Sequence, residues 1–276
     1  MVEAALGGDV TVLETLVPLQ ADLIQGDQLL SSSLWVNVAL AGLAALLFAY
    51  MGRNVRGDRA RMIWVVTLFI PLVSISSYLG LLSGVTIGVL EMPAGHPLDE
   101  AISQWGRYLT WAFSTPLILA ALGWLADVDR ADLLAVVAAD IGMCLTGLAA
   151  ALTTSSLLMR WVFYAVSCVF FVVVLYALVF KWPVSAEAAG TSEIFSTLRA
   201  LTIVLWLGYP IVWAVGIEGL ALVESAGLTS WGYSALDILA KYVFAFLLLR
   251  WVADNESVVE SAGSAAGTTG ATPADD

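Results

Sequence analysis

Two opposite charges lie in the middle of a long apolar stretch near the end of the chain. The stretch, SWGYSALDILAKYVFAFLLLR, runs from Ser230 to Arg250, and the charges are Asp237 and Lys241. Because they are four residues apart, a helix would place them on one face, one turn apart. A lysine amine in an apolar setting loses its proton readily and can form a Schiff base with an aldehyde. A carboxylate one turn away would then keep that imine protonated.

A plainer interpretation is that the two charges form an ion pair that only allows the helix to enter a membrane. The stretch is long enough to cross a bilayer, which takes about 20 apolar residues. Ionisable groups at that depth are costly and commonly mark a functional site. The stretch alone leaves both interpretations open, so the surrounding elements must decide.

The composition predicts a membrane protein with several apolar spans. Of the 276 residues, 60% are hydrophobic and only 12% are charged, which does not suit a single water-soluble core. Acids outnumber bases 23 to 11, and this argues against a nucleic-acid partner, which needs a basic surface. An acidic surface is typical either of a soluble exterior or of a very salty medium, and the composition does not separate the two.

Enzyme and metal motifs are missing from the sequence. There is no GxxxxGK, no HExxH and no nucleophile elbow, so we do not expect an enzyme. The chain has one histidine and two cysteines without CxxC spacing, which predicts neither a metal site nor a disulfide framework. Cys144 and Cys168 lie in apolar runs and are interpreted as packing residues.

Seven apolar segments separated by short polar loops predict an all-α membrane protein, a bundle of seven transmembrane helices. We divide the chain into an extracellular N-terminal segment (1–29), the seven-helix domain (30–254) and a disordered cytoplasmic tail (255–276) rich in small and polar residues. The predicted spans are 34–52, 62–90, 103–126, 133–152, a fifth that follows the turn at 153–156 and ends at Lys181, 194–219, and 230–250.

The basic residues predict the orientation of the bundle. Seven spans put the two termini on opposite sides, and eight bases fall on one side against two, Arg107 and Arg160, on the other. Short cytoplasmic loops carry the excess of Lys and Arg, so the N-terminus is expected outside the cell. The eight predicted cytoplasmic bases are Arg53, Arg56, Arg59, Arg61, Arg130, Lys181, Arg199 and Arg250.

Further polar and aromatic residues lie inside the predicted spans. Asp140, among small residues, suits a protonated, hydrogen-bonded structural role. Arg107 lies near the outer end of the third span, where reaching back to the interface would be ordinary, and the next residues on its face are the hydroxyls Thr110 and Ser114. Aromatic residues at helical spacing in mid-span suit a pocket wall better than an interface belt; they include Trp111, Tyr164, Trp206, Tyr209 and Trp213.

Several long strings in this sequence resemble the microbial rhodopsins, and among them the halorhodopsin group of light-driven chloride pumps from halophilic archaea. The likeness covers roughly Leu29 to Asn255. It rests on LLSSSLWVNVALAG, IPLVSISSYLGLLSG, EMPAGH, SQWGRYLTWA, ADIGMC, VLWLGYPIVWAV and LDILAKYVFAF, in that order.

That resemblance implies a multi-pass protein of the plasma membrane that carries all-trans retinal on Lys241 as a protonated Schiff base, with Asp237 as its counter-ion. Tyr78 matches a family tyrosine near the counter-ion. The family also suggests a homotrimer and admits a carotenoid partner. The implied retinal pocket comprises Trp111, Thr115, Met143, Gly147, Tyr164, Ser167, Trp206, Tyr209 and Trp213.

One triplet separates the pump types within the family. The proton pumps of the family that this chain resembles have Asp, Thr and Asp at three positions where this chain has Thr110, Ser114 and Ala120. A threonine hydroxyl cannot accept the proton of a Schiff base at neutral pH, and an alanine cannot return one. A proton pump is therefore disfavoured, and a sensory rhodopsin is the other alternative, although sensory relatives usually retain the acceptor aspartate.

Charge counting favours an anion as the transported substrate. A protonated imine on Lys241, the Asp237 carboxylate and the Arg107 guanidinium sum to about one uncompensated positive charge, which is costly in an apolar cavity. Chloride or another halide beside Ser114 and Thr110 would neutralise it. By the resemblance, the anion moves inward and is released to the cytoplasm past Thr202 and Arg199, while the preference among chloride, bromide and nitrate stays open.

Overall fold

The structure is a computed structural model that describes residues 22–268, with side chains as far as residue 262. A short helical turn over residues 22–26 precedes the first long helix. The elements that follow are α1 (Gln28–Gly52), α2 (Asp58–Leu82), β1 (Gly88–Glu91), β2 (Glu100–Ser103), α3 (Gly106–Leu125), α4 (Arg130–Leu152), α5 (Leu157–Ala188), α6 (Ser192–Val215), α7 (226–254) and α8 (Glu256–Thr268).

The long helices form a closed bundle. Neighbours in the chain pack on one another from α1 to α7, and α7 packs back on α1. In the part of the chain that the structure describes, α1 to α6 are each long and apolar enough to cross a membrane, by length and composition. Large apolar side chains such as Leu46, Phe113 and Val204 face outward, as expected of a helix surface in contact with lipid tails. The prediction of an all-α bundle of membrane helices is confirmed.

The seventh helix changes its winding where the two charges lie. It is α-helical over Ala226–Asp237, a π-helix over Ile238–Val243, and α-helical again over Phe244–Asp254. π-turns inside α-helices are rare and frequently lie at functional sites. Lys241 lies within the π-turn and Asp237 directly precedes it.

Several predicted helix boundaries are wrong. The first span begins at Gln28, capped by Asp27, rather than at residue 34. The second span ends at Leu82 rather than residue 90, because 88–91 pair with 100–103 as an antiparallel hairpin. The sixth ends at Val215 rather than 219. The fifth does not end at Lys181 but continues to Ala188. A π-turn over Ala177–Lys181 precedes Pro183, and this wider turn accommodates a proline ring that would clash with the carbonyl four residues earlier.

The expectation of a disordered tail is wrong for residues 256–268, which form α8. Val259 and Ala262 are buried against the bundle. The Glu256 carboxylate accepts hydrogen bonds from the backbone N–H of Arg56, at 2.7 Å, and of Gly57. Glu260 accepts from the N–H of Ala60 at 2.9 Å. The tail therefore supplies the side-chain caps of α2, whose N-cap residue is a glycine. Residues 1–21 and 269–276 lie outside the described range.

Candidate functional site

Asp237 and Lys241 are in contact in the centre of the bundle. Both side chains are almost completely buried, and the lysine Nζ lies 3.0 Å from Asp237 Oδ1. The helical repeat that brings residues four apart onto one face accounts for this contact. The amine therefore lies in the apolar interior beside one carboxylate.

Side chains from three other helices converge on Asp237. The Tyr78 hydroxyl of α2 donates to Oδ2 at 2.6 Å. The Tyr209 hydroxyl of α6 and the Trp111 indole N–H of α3 donate to Oδ1 at 2.8 Å and 3.2 Å. Both carboxylate oxygens are therefore satisfied, as a buried charge requires.

Arg107 is also fully buried, but its partners are neutral. Its Nη1 donates to the Tyr78 hydroxyl at 2.8 Å, its Nε to Gln104 Oε1 at 2.9 Å, and its Nη2 to Ser230 Oγ at 2.6 Å. Within residues 22–262 the guanidinium forms no ion pair. Tyr78 links it to Asp237 without neutralising it. Arg107, Lys241 and Asp237 together leave about one positive charge uncompensated if the lysine nitrogen is protonated.

Two hydroxyl groups follow Arg107 along α3. Thr110 Oγ1 donates to the Gly106 carbonyl at 3.0 Å and contacts the Ser77 hydroxyl. Ser114 is completely buried, and in the described part of the chain its Oγ has no hydrogen-bond partner. A buried unpaired hydroxyl is costly, and it is a donor that an anion could accept from. The sequence analysis did not single out Ser77, whose only signal was its position next to Tyr78.

An apolar cavity lies between α3, α4, α5, α6 and α7. All nine residues of the predicted retinal pocket line it: Trp111, Thr115, Met143, Gly147, Tyr164, Ser167, Trp206, Tyr209 and Trp213. Six more lining residues were missed: Tyr108, Cys144, Cys168, Phe171, Pro210 and Tyr233. Several of these directly follow or precede predicted residues in the chain. Phe171 lies four residues after Ser167, so the helical repeat places it on the same face and could have identified it.

The cavity fits a long, flat, apolar group. Tyr164 and Trp213 stack with ring centroids 4.6 Å apart, and Trp111 packs edge-on against Tyr209 at 5.1 Å. Neither Asp237 nor Lys241 is among the lining residues, because the lysine amine folds onto the carboxylate. Trp111 and Tyr209 connect the cavity to the Asp237–Lys241 pair, since each lines the cavity and donates a hydrogen bond to Asp237. That this cavity holds retinal stays a prediction.

Two other groups predicted for transport lie apart from this cluster. Thr202 is buried on α6, and its hydroxyl donates to the Leu198 carbonyl at 2.9 Å. Arg199, one turn nearer the start of α6, is half-buried.

Asp140 lies against the cavity wall, where Thr115 Oγ1 donates to its Oδ2 at 2.7 Å.

Arg160 and Glu218 form a second buried polar cluster that the sequence analysis did not identify. Arg160, expected near the membrane boundary, is fully buried, and its Nε donates to the Glu218 carbonyl at 2.7 Å. The Glu218 carboxyl accepts from the Tyr108 hydroxyl at 2.7 Å and from Ser103 at 3.2 Å. Burial raises the pKa of this carboxyl, while Tyr108 and Arg160 oppose the shift. The cluster ties the loop after α6 to α3 and α5.

The fold and site define a seven-helix membrane protein with a buried lysine–carboxylate pair beside an aromatic cavity. The profile described as bacteriorhodopsin-like protein matches residues 28–255, and the chain belongs to this family. Similar relatives include a halorhodopsin of Halobacterium salinarum, 70% identical over 247 residues that cover 89% of this chain and 90% of the relative. Cruxhalorhodopsin-3 of Haloarcula vallismortis is 66% identical over 255 residues, or 92% of each chain.

Solved structures show the same likeness. One described as "Halorhodopsin, a light-driven chloride pump" is 72% identical, with a TM-score of 0.84 over 85% of this chain and 99% of the other. A light-driven proton pump from Leptosphaeria maculans has the same fold, with a TM-score of 0.75 over 84% of this chain and 97% of the other, but is only 28% identical. The fold is therefore shared across pump types, whereas the sequence is much more similar to the halorhodopsins.

Proposed function

We propose that the protein is a light-driven chloride pump of the plasma membrane. High identity to proteins named halorhodopsin supports this function. The observation that carries it is the charge pattern of the site. Arg107 has only neutral partners. Ser114 lies about two turns further along α3, and its Oγ has no hydrogen-bond partner among residues 22–262. An excess positive charge beside an unpaired hydroxyl donor is a site that an anion would complete.

We propose that Lys241 holds retinal and that Asp237 stabilises the positive charge on its nitrogen. Retinal, when bound there, absorbs the light and supplies the change of shape that redirects the lysine N–H. Trp111, Tyr164, Trp206 and Trp213 hold the apolar body in place and exclude water. Asp237 stays oriented by its three donors, so its charge is presented to Lys241 in a fixed geometry.

Thr110 and Ser114 hold the chloride on the extracellular side of Lys241 in this proposal. Arg107 attracts the anion from outside through its uncompensated charge, and the hydroxyls replace part of its hydration shell. Thr202 and Arg199 lie on α6 where the anion leaves for the cytoplasm. Thr110 cannot serve as a proton acceptor at neutral pH, which separates this reading from a proton pump. An outside N-terminus, a homotrimer and a carotenoid partner remain family-based parts of the proposal.

The decisive experiment measures the pH of the medium during illumination of cells or vesicles that contain the protein loaded with retinal. Inward chloride pumping makes the interior negative and draws protons in passively. The medium should therefore become alkaline, more so with a protonophore, and only when chloride is present. Acidification that a protonophore abolishes would identify a proton pump instead. A coloured sample that gives no pH change would identify a photosensor.

A further inference from the structure

A row of polar contacts joins α1 to α7 alongside the site. The hydroxyls of Ser33 and Ser230 are 2.5 Å apart. One turn further along both helices, Asn37 Nδ2 donates to the Ser234 carbonyl at 3.3 Å, and Asn37 Oδ1 accepts from the Tyr242 hydroxyl at 2.6 Å. Asn37 has no exposed surface. One amide side chain therefore holds α7 at two points.

The two points that Asn37 holds lie on either side of the reactive pair. Ser234 precedes Asp237 by three residues, and Tyr242 directly follows Lys241. Between them the helix enters its π-turn, over Ile238–Val243. A π-turn persists only where its surroundings hold it. The rotation of this turn sets the direction in which the Lys241 side chain leaves the backbone.

Asn37 itself neither lines the cavity nor forms a described hydrogen bond with Asp237 or Lys241. Its described hydrogen bonds go only to Ser234 and Tyr242. Any effect on the site must therefore pass through the backbone of α7. Polar contacts between membrane helices also serve simply to hold helices together, so a test must separate that role from positioning.

We propose that Asn37 is a positioning residue for Lys241. Its amide fixes the π-turn of α7 and so aligns the lysine nitrogen with Asp237 and with the anion beside Ser114. The inference rests on the proposed function in so far as Lys241 carries the retinal. The hold on the π-turn itself is a property of the polypeptide and can be measured without retinal.

The first test compares Asn37→Leu, which removes both hydrogen bonds, with Tyr242→Phe, which removes one of them together with the interaction of the Tyr242 hydroxyl with Ser74. In the retinal-free protein, amide hydrogen exchange of residues 234–243 should quicken by at least about three- to tenfold in Asn37→Leu, because each lost buried hydrogen bond accounts for a factor of this order. Tyr242→Phe should show a smaller change in the same segment. Unchanged exchange in this segment in both variants would overturn the proposal.

The second test uses the retinal-loaded protein. Asn37→Leu should shift the absorption maximum and weaken chloride binding by about three- to tenfold, since the charged nitrogen moves relative to Asp237. Adding Tyr242→Phe to Asn37→Leu should change each quantity by less than Tyr242→Phe does alone, because the bond between the two residues is already lost. Full additivity of the two effects would show that the residues act separately and would refute the proposal.

Ser32→Ala is the matched control. Ser32 Oγ accepts from the Trp231 indole N–H at 3.3 Å, so this variant also loses one contact between α1 and α7, but away from the π-turn. Its melting temperature should fall while colour and chloride affinity stay unchanged. An equal spectral shift in Ser32→Ala would reduce Asn37 to a packing contact. If Lys241→Ala kept its colour, the retinal assignment would fail, while the exchange result would stand.

Discussion

The side chain at position 110 decides what the site can accept. Thr110 lies one turn from Arg107 on a fully buried face of α3, and its hydroxyl is already engaged with the Gly106 carbonyl. When this hydroxyl turns from the carbonyl it can donate to an anion, but it takes no proton at neutral pH. Because position 110 holds a threonine rather than a carboxylate, Arg107 also lacks a charged partner. Its hydrogen-bond partners are an amide, a phenol and a serine.

We therefore expect the carboxylate introduced by Thr110→Asp to take the place of the chloride ion as the compensating negative charge. The new carboxylate would compensate the excess positive charge, so chloride binding should weaken by at least about tenfold, as expected for charges of like sign in a poorly screened site. It would also provide a proton acceptor and restore some proton movement. Chloride titration of the absorption spectrum and light-induced pH changes measure the two effects. Unchanged chloride transport would contradict the charge count.

Glu218 should make stability depend on pH. Burial raises the pKa of its carboxyl above the ordinary value of 4.5, so the folded protein holds this proton more firmly than the unfolded chain does. The contribution to stability is present below the ordinary pKa and is lost as pH rises through the folded pKa. Glu218→Gln, which keeps an acceptor for Tyr108, should therefore gain stability relative to the parent protein as pH rises.

The measurement is the difference in melting temperature between Glu218→Gln and the parent protein at several pH values. Taking the difference removes the titration of all other groups. The difference should grow from acid toward neutral pH and then level off. A difference that is constant across this range would mean that Arg160 and Tyr108 fully offset the burial of the carboxylate.

At the scale of elements, α8 closes the N-terminal end of α2. The Gly57 N-cap has no side chain of its own to cap α2, and Glu256 and Glu260 reach its N–H groups from the tail. A side chain at position 57 would collide with Glu260, since an added Cβ would come within 2.6 Å of its Cγ. The absence of a side chain at Gly57 therefore leaves room for the glutamate side chains that cap α2.

We expect Glu256→Gln and Glu260→Gln together to destabilise the protein by about 1–2 kcal/mol, because a neutral amide caps a helix less well and loses its attraction to the helix dipole. Thermal unfolding measures this effect. Glu187→Gln removes the same charge from an exposed position on α5 and should change stability by less than about 0.5 kcal/mol. A loss of stability in the double variant of only about twice that of Glu187→Gln would show that net charge, rather than capping, is responsible.

The elements that the sequence predicted well are those with a strong local signal. Apolar runs and short polar loops were sufficient for the membrane helices, and the four-residue spacing was sufficient for the contact between Asp237 and Lys241. The resemblance placed nine residues that line the cavity. The tail helix was missed because its few apolar residues, such as Val259, are buried only where the tail packs on α2 and on the end of α7. Glu218 and Arg160 were missed because their burial depends on three distant segments meeting.

At the scale of the whole molecule, salt can act on this protein in two ways. The chain carries a net charge of −12, and any salt screens repulsion between exposed carboxylates. Chloride should add a second effect, because an ion that binds only the folded state stabilises it by about 2.7 kcal/mol at a hundred times its dissociation constant. The first effect depends on ionic strength alone, and the second depends on the identity of the anion.

We expect the melting temperature to be higher in sodium chloride than in sodium gluconate at equal ionic strength, since gluconate is too large for a site formed by Arg107 and two hydroxyls. Ser114→Ala should reduce this difference, because it removes the unpaired donor, and should leave the rise with ionic strength intact. Ser76→Ala, on the exposed face of α2, should change neither. If Ser114→Ala kept the full difference between the two salts, chloride would stabilise the protein from another site, and Ser114 would lose its place in the mechanism.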